Sequence, residues 1–160
     1  VESMPITAGS QGQVVAGSAN DAIFVRVRVA RSMTVATLSV HIGSALGNID
    51  LGIYRSDDGG STLTRLSSSG STAAAGANAI QTLSLGASVA LSPFTDYYLA
   101  IALSDDTTCT VAGKSMLSSL LAPSNYVLSK QSTFPLPSSV SSLTGGYING
   151  IPWIRANGSF

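Results

Sequence analysis

The residues of this chain that could do chemistry are few: two acidic pairs, Asp57-Asp58 and Asp105-Asp106, a single histidine, a single cysteine and the arginines Arg26, Arg28 and Arg31. Paired carboxylates in loops supply hard oxygen ligands that can hold Ca²⁺ together with backbone carbonyls, although EF-hand spacing is absent and turn formation is the commoner role of such aspartates. His41 falls on the outward side of an expected strand beside Ser39 and Thr37. No G-x-S-x-G elbow accompanies it, and a strand midpoint is a poor place for a general base. A zinc site of the usual kind needs several Cys or His ligands, and His41 and Cys109 are two in total. Gly113-Lys114-Ser115 imitates the end of a phosphate loop, but Thr108 stands where its first glycine belongs. Asn157-Gly158-Ser159 is a glycosylation sequon by letter, of a kind that arises by chance in a Ser-rich chain. We therefore expect no catalytic residues, no enzyme activity and no cofactor, with Asp57, Asp58, Asp105 and Asp106 as the only Ca²⁺ candidates.

Binding is the chemistry that remains. Arg26 and Arg28 share a strand face on which guanidinium groups could take carboxylates, phosphates or acidic sugars, or simply pair with Asp50 or other acids across the sheet. Tyr54, Tyr98, Tyr147 and Trp153 are the aromatic side chains that could serve as sugar platforms or interface residues. For Trp153, preceded by proline, a core or interface position fits better than a ligand platform.

The elements that would position these groups are strands. In AIFVRVRVAR, residues 22 to 31, Ile23, Val25, Val27 and Val29 fall on one face and Phe24, Arg26 and Arg28 on the other, the period of two expected of a strand with one buried side. The same alternation places Ala36, Leu38, Val40 and Ile42 inward, with Val35, Thr37, Ser39 and His41 outward. Strands are expected at 22 to 30, 34 to 42, 48 to 55, 62 to 67, 79 to 85, 88 to 91, 96 to 103 and 108 to 112. Short strands at this spacing indicate a sandwich or barrel. Asp57-Asp58-Gly59-Gly60-Ser61 reads as a hairpin turn, because Asp and Gly tolerate positive φ. Tyr97, Leu99, Ile101 and Leu103 share one side of their strand. Tyr98, Ala100 and Ala102 share the other, a small flat face open to a neighbouring subunit or to solvent. Residues 70 to 79 read as a loop and 115 to 122 as a short helix ended by Pro123. Two prolines around Leu136 exclude a central strand there, and Trp153-Ile154 begins the last strand.

Composition bounds the rest. A chain of 160 residues forms one core, here a domain over 22–160 preceded by an arm or edge strand over 1–21. Only 10% of the residues are charged, against roughly 25% in an average soluble protein. Ser and Thr, 40 residues together, take over solvation. Net charge is zero, so no global field draws in nucleic acid or an anionic membrane, and few charges guard strand edges against association. No apolar run approaches the length of a membrane span, and the first residues lack the layout of a signal peptide. A lone cysteine forms no intrachain disulfide.

Four motifs carry a resemblance: Asn48 to Tyr54 (NIDLGIY), Ser68 to Thr72 (SSGST), Asp96 to Ala102 (DYYLAIA) and Phe134 to Pro137 (FPLP). With them, residues 22 to 154 resemble a module of tailed-bacteriophage virion structural proteins. The resemblance implies an all-β fold, an antiparallel jelly-roll-like β-sandwich with at most one short helix. It also implies a place on the virion surface, in a tail, fibre, baseplate or head-decoration role, commonly as a homotrimer bound to other virion proteins. It carries over no functional residues. A carbohydrate-binding or receptor-binding module that takes a host surface glycan is the alternative that the same fold supports.

Overall fold

The structure is a computed structural model that describes residues 14–15, 20–104, 109–114, 127–130, 133–145 and 151–159. The expected helix at 115–122, Asp105, Asp106, Tyr147 and most of the 1–21 arm lie outside these residues. The described elements are all strands: β1 (Val14–Val15), β2 (Ala22–Arg28), β3 (Met33–Ser44), β4 (Asn48–Arg55), β5 (Thr62–Ser68), β6 (Thr72–Ala73), β7 (Ala79–Leu91), β8 (Asp96–Leu103), β9 (Thr110–Lys114), β10 (Val127–Lys130), β11 (Ser139–Ser141), β12 (Thr144–Gly145), β13 (Ile151–Pro152) and β14 (Ile154–Ser159).

They form two antiparallel sheets. One, the β3 sheet, runs β1-β9-β3-β14, with β7 on the far side of β3 and β13 continuing along β9; the other, the β8 sheet, runs β11-β5-β4-β8-β2-β10-β12, with β6 on β4. Apart from the β4–β5 hairpin, the long strands pass back and forth between the sheets, so each apolar face meets one contributed by another part of the chain. The result is an antiparallel β-sandwich. Its interior holds Ile23, Val25 and Val27 of β2, Leu38, Val40 and Ile42 of β3, Ile49, Leu51 and Ile53 of β4, and Leu99 and Ile101 of β8. The Asp57–Ser61 turn is the expected hairpin: Gly59 and Gly60 both take positive φ (75° and 105°), and Arg55 pairs with Thr64.

The alternation expected for β3 holds only over its second half. Pairing with β7 is irregular between Val35 and Thr37, which resets the phase, so that Met33 and Val35 are buried and Ala36 is exposed. A bulge of this kind shifts side chains to the opposite face without any change in composition. The strands expected at 79–85 and 88–91 are one strand of 13 residues, whose pairing with β3 jumps from Ser84, opposite Thr37, to Val89, opposite Val35, across the same irregularity. The strand expected at 108–112 begins two residues later, at Thr110.

A second apolar cluster lies on the other side of the β8 sheet. Ala22, Phe24, Tyr54, Leu63, Tyr98, Ala100, Ala102, Leu128 and Val140 belong to that face and are covered by Leu136, with Phe134 and Leu143 packed alongside. The open flat face expected at Tyr98, Ala100 and Ala102 is therefore interior, because the stretch 133–138 of the same chain, with Leu136 at its centre, folds over it before joining the sheet edge as β11. Register explains the fit. Gly52 lies opposite Ala100, and Ala100 opposite Phe24, so a row of small side chains leaves a trough beside the phenyl ring. Leu136 fills it: a Cβ added to Gly52 would stand 2.8 Å from Leu136 Cδ1. Burying a leucine in this way contributes about 2 kcal/mol.

Candidate functional site

The cover over the β8 sheet is held by polar groups that sit inside an otherwise apolar contact. Asp50, on the same face of β4 as Gly52 and Tyr54, is buried; its Oδ2 accepts the Leu136 N–H at 3.0 Å and its Oδ1 accepts the Ser69 hydroxyl at 3.3 Å. Burial raises the pKa of this carboxyl, and the bond from the Leu136 N–H, the Ser69 hydroxyl and the nearby Arg65 oppose that shift. Tyr54 donates its phenol to the Pro137 carbonyl at 2.5 Å, and its ring meets Phe24 edge-on with centroids 5.1 Å apart. Burial pushes the Tyr54 hydroxyl well above the ordinary tyrosine value, and that of Tyr98 rises for the same reason. Arg65 donates to the Leu136 carbonyl, while the Arg65 N–H reaches the Ser138 carbonyl at 2.8 Å. The prolines around Leu136 keep this stretch out of the sheet, and Asp50, Tyr54 and Arg65 satisfy backbone groups that a ladder would otherwise satisfy.

These positions correct the reading of two aromatics. Tyr54 and Tyr98 lie at 0% and 2% exposure, so neither presents a ring to a sugar. Trp153 is buried as well. Its backbone N–H donates to the Ala112 carbonyl at 3.0 Å, and its indole nitrogen has no hydrogen-bond partner among the described residues.

The arginines find an acid, but it is Asp96 rather than Asp50. Cross-strand register sets Arg28 of β2 opposite Asp96 of β8, so one carboxylate takes Arg26 through Oδ2 and Arg28 through Oδ1, the latter at 2.8 Å. The Arg28 bond, and after it Arg26, holds the Asp96 carboxyl below its usual range. Asp50 is out of play because its carboxylate is occupied by the cover. Since the side chains of Arg26 and Arg28 are 38% and 54% exposed, the trio sits in solvent and adds little stability.

The Ca²⁺ candidates that are described are used locally. Asp57 pairs with Arg55 at 3.0 Å. Asp58 Oδ1 accepts from the Thr62 N–H at 2.9 Å and from Ser56 Oγ at 2.8 Å, which holds its pKa at about 2. Among the described residues no three His, Cys, Asp or Glu side chains gather as metal ligands.

Among the described residues, the outer face of the β3 sheet is left uncovered along β7 and β3. Register arranges it as a grid, with Ile80, Thr82 and Ser84 on β7 opposite His41, Ser39 and Thr37 on β3, and Arg155 and Asn157 on β14 opposite Ser39 and Thr37. Ser39 Oγ meets Thr82 Oγ1 at 2.7 Å, and the Asn157 amide donates to Ser39 Oγ at 2.8 Å and to Thr37 Oγ1 at 3.2 Å. The sequon letters thus have a structural use: Asn157 ties β14 to β3, and Gly158 passes so close to it that a Cβ would stand 2.3 Å from the Thr34 carbonyl oxygen. His41 sits half-buried at one end, on the outward side as expected, with Nδ1 enclosed and without a partner among the described residues. Such a face of hydroxyls, an amide and small side chains can dock another flat surface; it holds no arrangement of base and nucleophile.

Comparison of the chain with protein-family models, with curated proteins and with solved structures finds no match. The reading of the site rests on its own residues. Sequence reasoning missed Asp50, Arg65 and Leu136 as a group, although one signal was available. β4 and β8 are apolar on both faces, as IDLGIY and YYLAIAL, and strands that read as continuous apolar runs are covered on both sides.

Proposed function

We propose that this chain is a non-enzymatic structural component of a bacteriophage virion, exposed on the particle, whose partners are itself and other virion proteins. The observation that carries the reading is the flat, almost uncharged outer face of the β3 sheet, bounded by the long uncharged strand β7. Apart from Arg155, a face of Ser, Thr, Ala and Asn with Ile80 and His41 at one end lets another protein surface approach closely with little charge to desolvate. The resemblance in Asn48–Tyr54 and Asp96–Ala102 supports the assignment to virions. Both segments are the doubly buried strands at the centre of the β8 sheet, so the motif marks the architecture of such a module rather than a ligand site.

The test is the solution mass of the purified protein by light scattering across a dilution series. An oligomer whose mass survives dilution is the expected result, and a monomer at every concentration overturns the reading. Gold-labelled antibody against the chain, applied to phage particles that encode it, should decorate their surface.

A further inference from the structure

Every described strand at a sheet edge except one carries a device against edge-to-edge pairing. β6 is two residues long and β11 three, and the described parts of β1, β12 and β13 are two residues each. β14 carries Arg155 and a register shift at Asn157/Gly158. Short edges, charges and bulges are the usual protections. β7 has none of them over its first half. It is 13 residues long, contains no charged residue and no proline, and pairs with β3 in unbroken register from Ala79 to Ser84. No described strand pairs with its other side. Its middle is engaged elsewhere: the Ala87 N–H donates to Ser67 Oγ at 3.1 Å, and Gly86 lies against the Ser68 carbonyl. That leaves Ala79 to Leu85, about 24 Å of strand, where the Ala79 N–H is given to the Gly76 carbonyl at 2.9 Å and the Gln81 side chain is tied to Ala73 and Ala75, with an outward row of Ile80, Thr82 and Ser84, of which Ile80 is 55% exposed. The core leucines of this stretch also reach the rim, Leu83 and Leu85 being 9% exposed where Leu38 on the neighbouring strand is 0%.

We infer that residues 79–85 of β7 are a self-association edge, pairing antiparallel with the same segment of a second copy so that two β3 sheets join into one. The occupant follows from the chemistry of the edge. An antiparallel ladder about a two-fold axis matches each donor with an acceptor when both strands are identical, so the segment is complementary to itself. With no charge along the strand and no net charge on the chain, nothing repels the second copy. The outward rows then continue from one β3 face to the other and double the flat surface already described. The inference rests on the reading of the chain as an assembly subunit and names its contact. It departs from the trimer implied by the resemblance, because two-fold pairing builds even-numbered assemblies.

The experiment combines solution mass with amide hydrogen exchange on the full chain. An even-numbered oligomer is expected, in which the amides of residues 79–85 exchange more slowly as concentration rises. The double variant Ile80→Lys/Ser84→Lys, which sets like charges against each other across the join, should need about tenfold more protein to associate. Thr34→Lys/Ala36→Lys, exposed on the inner strand β3, should leave association within about twofold of the wild type. A trimer, or an oligomer whose residues 79–85 exchange as fast as in the dilute protein, overturns the inference and leaves the assembly reading standing. A monomer at all concentrations overturns both. Circular dichroism of each variant confirms that the sandwich is intact, and an oligomer broken only by the Thr34/Ala36 pair assigns the contact to the face and overturns the edge.

Discussion

The two sheets of this sandwich share one core but end differently on their far sides. The β8 sheet is roofed by residues 133–138, so β4 and β8 are interior on both faces; among the described residues the β3 sheet is covered only on its core side and turns a hydroxyl-rich face outward. The difference teaches that one sheet of this fold is insulated and the other is displayed. In the insulated sheet the second face is built from Ala, Gly and aromatic rings, and its one buried carboxylate fastens the roof. In the displayed sheet the equivalent positions are Thr, Ser and Asn, which satisfy one another and can still face water.

A lysine separates the two faces most sharply. Ala100→Lys places an unpaired charge beneath the roof and should cost about 4 kcal/mol or more, whereas Ala36→Lys on the displayed face should change stability by less than about 0.5 kcal/mol. Denaturant unfolding measures both, and equal effects would mean that the two faces do not differ as described. Leu136→Ala comes next, with a loss of about 3 kcal/mol from the emptied trough over Gly52; a loss below about 1 kcal/mol would show that the roof is not part of the cooperative unit.

Asp50→Ala orphans the buried Leu136 N–H and should cost about 2 kcal/mol, while Asp50→Asn keeps an acceptor and should cost less. Two carboxylates of the β8 sheet, Asp50 on β4 and Asp58 in the turn from β4 to β5, also predict opposite pH responses. Asp50 has a raised pKa, so the stability it contributes is fully present below its unfolded value of about 3.9 and is lost as pH rises through the higher folded value. Asp58 has a lowered one, so its contribution is present above about 3.9 and is lost as pH falls through about 2. Thermal unfolding against pH should therefore decline less on the neutral side in Asp50→Asn, and less on the acid side in Asp58→Asn.

Tyr54→Phe removes one bond from the roof, to the Pro137 carbonyl, and should cost about 1 kcal/mol. The smallest effect concerns the turn that joins the displayed sheet to the insulated one. There Phe94 is 76% exposed at a φ of 59°, a conformation that strains any residue with a Cβ. Phe94→Gly should raise stability by up to about 1 kcal/mol; no gain in the unfolding midpoint would mean that the ring makes a compensating contact.

How much of this was legible varies with the range of the interaction. The inward rows of β2 and β8 followed from alternation, and the Asp57–Ser61 turn followed from residues that tolerate positive φ. Ala36 did not, since a bulge depends on the partner strand and β7 supplies its irregular half 50 residues later. The apolar second faces of β4 and β8 were visible as continuous runs, yet what covers them was not. Leu136 lies 86 residues from the carboxylate that holds its N–H, and Asp96 lies 70 from Arg26.

By itself, then, the sequence determined the strands, their inward rows and the low charge of the surface, because period-two patterning and turn chemistry act between near neighbours along the chain. Only the tertiary structure decided that Tyr54 and Tyr98 are interior, that Asp50 fastens a roof instead of pairing with arginine, and that no described strand pairs with the outer side of β7. Those outcomes depend on which distant segment returns to which face, and burial on a second face is a property of the returning segment as much as of the strand it covers.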